Sequence, residues 1–134
     1  MTWLPSTCSS KGRSTVIKAH TGGVRCVAIA PDSTSLLSSS DDKTIKMWSI
    51  SGHKFKQTLS GHSNWVRAAR FNPTGDVVVS GGDDKTVRIW DVGQRQCVHT
   101  FHDHTGPVND VTFHPDGLCV AACSSDNTIK IWDL

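Results

Sequence analysis

Three tryptophans, Trp48, Trp90 and Trp132, stand 42 residues apart, and each ends or nearly ends the same nine-residue phrase. The phrases read DDKTIKMWS at 41–49, DDKTVRIWD at 83–91 and SDNTIKIWD at 125–133. His20, His62 and His104 keep the same interval, as do Pro31, Pro73 and Pro115, and Asp42, Asp84 and Asp126. A unit of this length cannot bury an apolar face alone, so it must stack on copies of itself. No other feature of the chain narrows its possible folds as far.

Within a unit, β-branched and aromatic runs alternate with turn chemistry. First strands are expected at 24–30, 66–71 and 108–113, second strands at 36–40, 77–81 and 118–123, and third strands at 44–48, 86–90 and 128–132. Fourth strands are expected at 55–59 and 97–101, with 14–18 in the same phase. Asn72-Pro73-Thr74-Gly75 and His114-Pro115-Asp116-Gly117 preset a turn, Pro fixing φ and Gly allowing it to be positive. Unit one has Ser33 in the glycine's place, which predicts a less well formed turn. Near-continuous apolar strands mean both faces of each small sheet are covered, as when sheets stack radially into propeller blades. The expected class is all-β, with three four-stranded blades and no helix. The domain reading is a flexible, Ser-rich lead-in at 1–13 and repeats over 14–134, in units 20–61, 62–103 and 104–134.

Composition removes several function classes. The 14 Lys and Arg exceed the 12 Asp and Glu by only two and are spread through the repeats. Binding phosphate backbones needs a concentrated basic face, so nucleic acid is not the expected partner. No run of 18 apolar residues offers a membrane span, and residues 1–20 show neither a secretory apolar core nor a transit-peptide stripe. The five cysteines ignore the repeat and form no CxxC. Cys119 and Cys123 would share a strand face, but an odd count with no secretory signal points to buried, reduced thiols in a reducing compartment.

These motifs closely resemble the WD40 repeat family over residues 14–134. The resemblance implies a β-propeller whose blades are each stiffened by a hydrogen-bonded tetrad of His, Ser or Thr, Asp and Trp. Carried over, unit one supplies His20, Ser40, Asp42 and Trp48. Unit two supplies His62, Asp84 and Trp90, with Gly82 where the hydroxyl belongs, and unit three supplies His104, Ser124, Asp126 and Trp132. The physics agrees: a buried indole N–H needs an acceptor, and a carboxylate in a tight turn can orient an imidazole. The missing hydroxyl of unit two is expected to weaken that blade by about 1 kcal/mol. A set copied once per repeat fastens a fold and is not a catalytic triad, and no phosphate loop or HExxH is present, so no enzyme is expected. His99, His102, His104 and Asp103 are candidate metal ligands, but His104 belongs to the tetrad, so neither metal nor cofactor is expected.

The family resemblance also implies a ring mouth lined by residues just after the repeat His and just before the turn Asp. Here these are Gly23, Arg25, Trp65, Arg67, Pro107 and Asn109, with Asp41, Asp83 and Ser125. Trp65 falls where the other units have Gly and Pro, and it either anchors a partner or packs on the blade edge. A closer resemblance rests on residues 11–20, Asn64-Trp65-Val66-Arg67, Cys97-Val98-His99, Phe113-His114-Pro115 and Asp126-Asn127-Thr128. These are similar to the middle repeats of the proteome-of-centriole WD40 proteins. That likeness implies a non-enzymatic scaffold of the cytoplasm and cytoskeleton, placed at the centriole or basal body. It would bind tubulin or centriolar proteins in support of microtubule triplets and cilium assembly. The alternative is a peptide- or substrate-recognition adaptor of a chromatin or ubiquitin-ligase complex, gripping a basic peptide through Asp41 and Asp83.

Three blades cannot close a ring, because propellers use four to eight. The expectation is therefore a fragment or truncated product, or else half of a six-bladed homodimer. In each case two uncovered apolar faces should drive self-association.

Overall fold

The structure, a computed structural model, describes residues 12–134, so the lead-in expected at 1–13 lies almost wholly outside the described residues. Among the described residues the regular elements are strands alone. β1 (Val24–Ile29), β2 (Ser35–Ser40), β3 (Thr44–Ser49) and β4 (Phe55–Ser60) pair in chain order as one antiparallel sheet. β5 (Val66–Phe71), β6 (Val77–Gly82), β7 (Val87–Asp91) and β8 (Gln96–Phe101) form a second sheet of the same order. β9 (Val108–Phe113), β10 (Cys119–Ser124) and β11 (Ile129–Asp133) form a third sheet of only three strands.

The sheets stack as blades, with β5 lying against both β1 and β9. Leu37, Ile45, Met47 and Leu59 of blade one pack on Val66, Ala69, Val78 and Trp90 of blade two. One repeat on, Val79, Val87 and Ile89 of blade two pack on Val108, Val111 and Val120 of blade three. Blade two alone is covered on both faces. The continuous apolar strands of the outer blades thus overstate their burial: Val27 and Ile29 on blade one, and Ile129 and Ile131 on blade three, are exposed. The stack is an open arc and not a ring.

Residues 14–18, expected in fourth-strand phase, form no strand. A fourth strand needs the outer edge of a third strand. The β3 and β7 edges are already taken by β4 and β8, and β11 lies at the opposite end of the stack. Blade three is therefore three-stranded, where four strands were expected.

The turn carrying Ser33 also differs from expectation, because it forms fully. Ser33 adopts a left-handed φ of 63°, close to the 82° of Gly75 and 75° of Gly117. Its N–H donates to the Ala30 carbonyl at 2.9 Å, just as Gly75 donates to Asn72 and Gly117 to His114. What serine costs here is strain, because Cβ crowds the backbone at positive φ. The described cysteines are free thiols, but contrary to expectation none of them is buried: Cys26, Cys97 and Cys119 are half-buried and Cys123 is exposed.

Candidate functional site

Each blade is fastened at the turn between its second and third strands. In blade one the Asp42 carboxylate accepts from the Thr44 N–H (3.0 Å) and Thr44 hydroxyl (2.6 Å) on one oxygen and faces His20 Nδ1 (2.8 Å) on the other. A ring nitrogen facing a carboxylate carries the proton, so His20 Nε2 is the acceptor. It receives the Ser38 hydroxyl at 2.8 Å, and that oxygen accepts the Trp48 indole N–H at 3.0 Å. Blade two repeats the chain through Asp84, His62, Ser80 and Trp90, with His62–Ser80 and Trp90–Ser80 distances of 2.7 Å.

The hydroxyl is thus Ser38 or Ser80, and not Ser40 or the position of Gly82. The reason lies in strand register. Leu36 lies opposite Trp48 and Ser38 opposite Lys46, so Ser38 is the diagonal neighbour of Trp48. Diagonal neighbours are within reach of an aromatic ring, whereas a residue four along the strand lies roughly 13 Å away. Ser40 and Ser124 instead accept the N–H of Asp42 and Asp126, both at 3.1 Å, and so shape the turn. Blade two has a complete fastener, contrary to the expectation of a gap at Gly82.

The gap is in blade three, where Ala122 occupies the hydroxyl position. His104 and Asp126 still pair at 2.9 Å, and Thr128 completes the carboxylate's contacts. His104 Nε2, however, is buried with no hydrogen-bond partner among the described residues. Trp132 turns its N–H to the Asp103 carboxylate at 2.7 Å. At the position equivalent to Asp103, blade two has Gly61, where an added Cβ would come within 2.9 Å of the Trp90 ring. Ala122 and Asp103 therefore belong together, one removing an acceptor and the other supplying a replacement. Asp103 and His104 are both committed to Trp132 and Asp126, and His99 packs on Phe101 at 4.3 Å. No group of three or more His, Cys, Asp and Glu among the described residues is arranged to hold a metal.

The three turn carboxylates sit below their ordinary range. Burial alone would raise Asp84, but the hydrogen bonds from His62 Nδ1 and from Thr86 outweigh it. Asp42 is held down in the same way against burial, by Thr44 and His20. For Asp126 the Thr128 hydroxyl is the main cause, with His104 and Thr105 assisting. A carboxylate depressed in the folded state contributes stability above its unfolded pKa and loses it as pH falls toward the folded value. The urea midpoint should therefore hold level from pH 7 to 5 and fall below about pH 4, where unfolded carboxylates take up protons. A level profile down to strong acid would show that these three aspartates add nothing to stability.

Above the fasteners lies the face expected to line the mouth. Each inner strand carries a β-bulge near its start, and the residue skipped by the ladder is Arg25, Arg67 or Asn109 in turn. A bulge re-aims the extra side chain, and here it sends all three to the residue preceding the turn aspartate. Arg25 Nε and Nη2 donate to Asp41 at 2.6 and 2.8 Å. Arg67 pairs with Asp83 through the same two nitrogens, and Asn109 Nδ2 donates to Ser125 at 3.1 Å. The backbone N–H groups of Asp41, Asp83 and Ser125 return to the carbonyls of Gly23, Trp65 and Pro107 at 2.8–3.0 Å. The Arg25 guanidinium also lies 4.8 Å from the centre of the Trp65 ring, bridging blades one and two. Trp65 remains 39% exposed. It is thus neither free on a loop nor buried at an edge.

The WD domain, G-beta repeat model matches three times, over residues 11–49, 53–91 and 95–133. The chain belongs to the WD40 repeat family. WD40 repeats are in general protein-interaction modules without catalytic activity. This chain is 47% identical over 49 residues to the pre-mRNA-splicing factor PRP46 of Saccharomyces cerevisiae, a match covering 36% of the chain and 11% of that protein. It is 44% identical over 43 residues to WD repeat-containing protein 1 of Bos taurus, covering 32% of the chain and 7% of the relative. It is 37% identical over 59 residues to nuclear distribution protein nudF 2 of Talaromyces marneffei, covering 44% and 12%. The aligned WD40 stretches thus span about a tenth of each relative's length.

Proposed function

We propose that this WD40 chain is a non-enzymatic scaffold that holds a protein partner at the face around Trp65, and that it works in the cytoplasm on the cytoskeleton, at the centriole or basal body. The observation that carries the partner site is Trp65 itself, part-exposed with the Arg25 guanidinium over its ring. A preorganised aromatic beside an arginine is the chemistry that dominates interface hot spots. The ion pairs Arg25–Asp41 and Arg67–Asp83 make the face nearly neutral, and as exposed pairs they add little affinity alone. Their role is to hold two guanidinium planes in place, with the Nη1 edges turned to no partner among the described residues. Those edges suit an acidic surface such as tubulin presents. The centriolar placement draws its support from the resemblance at 11–20, 64–67, 97–99, 113–115 and 126–128. A basic peptide gripped by Asp41 and Asp83 is disfavoured, because both carboxylates are already paired with arginine.

Microtubule co-pelleting tests the reading. The protein should pellet with microtubules, and Trp65→Ala should weaken pelleting at least tenfold, about 1.4 kcal/mol or more. Its fold should remain, because the ring is not part of the core. If neither form pellets, the tubulin reading is wrong; if both pellet equally, Trp65 is not the anchor.

A further inference from the structure

We propose that the partner held at the Trp65 face is an extended acidic segment of a protein, which crosses blades one and two and does not reach onto blade three. The inference rests on the reading of Trp65 as the anchor and adds the chemistry of what it anchors. Blades one and two repeat a charged set on this face, Arg25, Asp41 and Lys43 in one and Arg67, Asp83 and Lys85 in the other. Blade three has Asn109, Ser125 and Asn127 at those positions, none of them charged. Within each charged set the arginine and aspartate neutralise each other. The lysine is left over. Lys43 and Lys85 are exposed and form no ion pair among the described residues. The adjoining Asp42 and Asp84 are turned inward, onto His20 and His62 and the hydroxyls of Thr44 and Thr86.

The backbone fixes where these charges stand. Lys43 and Lys85 sit at the apex of the turn between second and third strands, with left-handed φ of 74° and 68°. Their N–H groups donate to the Ser40 and Gly82 carbonyls at 3.2 and 3.1 Å. The two blades act as one field here, because the Asp41 carboxyl is held below its ordinary range by Arg25 and also by Arg67 of the next blade. Stacked sheets lie about 10 Å apart, and an extended chain rises about 3.4 Å per residue. Carboxylates roughly three residues apart on a strand-like segment would therefore meet both lysines. At the junction between the blades, the exposed part of Trp65 is open to an apolar side chain beside the Arg25 guanidinium. On blade three the segment would meet only the neutral Asn109–Ser125 pair and Asn127. Two lysines among neutralised pairs are too few for a phosphate backbone, which needs a concentrated basic face. Every residue of the two charged sets lies inside blades one and two, so repeats added at either end would leave them in place.

A fluorescein-labelled synthetic peptide, one phenylalanine flanked on each side by glutamates, tests the proposal when titrated with the 134-residue chain and read by anisotropy. The peptide should bind, and its glutamine counterpart should bind about tenfold more weakly or worse. Added salt should weaken the glutamate peptide alone, because exposed charges are screened beyond about 10 Å at 0.1 M. Lys43→Asn and Lys85→Asn should each weaken it about two- to fivefold, the range of an exposed ion contact. Asparagine already occupies this turn in blade three, with φ 71° at Asn127, so circular dichroism and the urea midpoint should not change. Asn127→Lys should leave the affinity as it is, and a gain there would overturn the stated boundary. Equal binding of the two peptides, or no loss when both lysines are replaced, would overturn the acidic segment. So would an oligonucleotide that displaces the peptide at a lower concentration, since nucleic acid would then be the better occupant. The anchor is tested separately. If Trp65→Ala abolishes microtubule pelleting while the two peptides bind alike, Trp65 stands and the acidic segment fails. If peptide binding depends on charge but not on Trp65, the acidic segment stands and the anchor fails.

Discussion

Ser80→Ala should lower the unfolding free energy by about 3 kcal/mol, because one oxygen serves two buried groups, each costing about 1–3 kcal/mol when orphaned. Trp90 Nε1 donates to Ser80 Oγ and His62 Nε2 receives its proton, both at 2.7 Å, and all three side chains are buried. Blade two has no substitute, since Gly61 stands where blade three places Asp103. The reverse change in blade three, Ala122→Ser, should add about 1 kcal/mol by giving His104 Nε2 a hydroxyl. Urea unfolding at pH 7 and one fixed protein concentration reads both, the concentration being held because association contributes to apparent stability. A loss below 1 kcal/mol for Ser80→Ala would mean that Ser80 is not the joint of blade two.

Gly82→Ser should also destabilise strongly, by about 3 kcal/mol, although sequence reasoning alone favours it as a repair. A Cβ at Gly82 would stand 2.1 Å from the Trp65 carbonyl oxygen and 3.2 Å from Val66 Cα. Both are backbone atoms beside the bulge that aims Arg67, so relief requires moving the strand. The same carbonyl accepts the Asp83 N–H at 2.8 Å. The substitution should therefore also shift Trp65, seen as a change in its fluorescence and a loss of partner binding. Wild-type stability in Gly82→Ser would show that the Trp65 backbone yields easily and that the mouth is not rigid.

The two substitutions separate what a repeat can and cannot tell. In-register comparison reads Ser, Gly, Ser at 40, 82 and 124 and Ser, Ser, Ala at 38, 80 and 122. Either column could supply the tetrad hydroxyl, and the first was the wrong one. Hairpin register decides between them, because Trp48 reaches a diagonal neighbour and nothing farther along the strand. That signal lay in the sequence once Leu36 and Trp48 are set opposite each other. The Asp103 replacement was not legible, since its link to Trp132 spans 29 positions and breaks the repeat. The same is true of Arg25 over Trp65, a contact made only because blades one and two lie side by side.

What the sequence determined by itself is the blade: its strands, turns, turn aspartates and 42-residue phase are local, and local spacing encodes them. Even the fully formed turn at Ser33 follows the phase, at the cost of strain. Tertiary structure decided everything that depends on one blade meeting another. It stacks Arg25 on Trp65, covers blade two, and leaves Val27, Ile29, Ile129 and Ile131 bare. It also leaves the β11 edge open and residues 14–18 without a ladder. The physical reason is that a repeat is identical in what it requires of a neighbour, whereas whether that neighbour is present is a property of the arc and not of the unit.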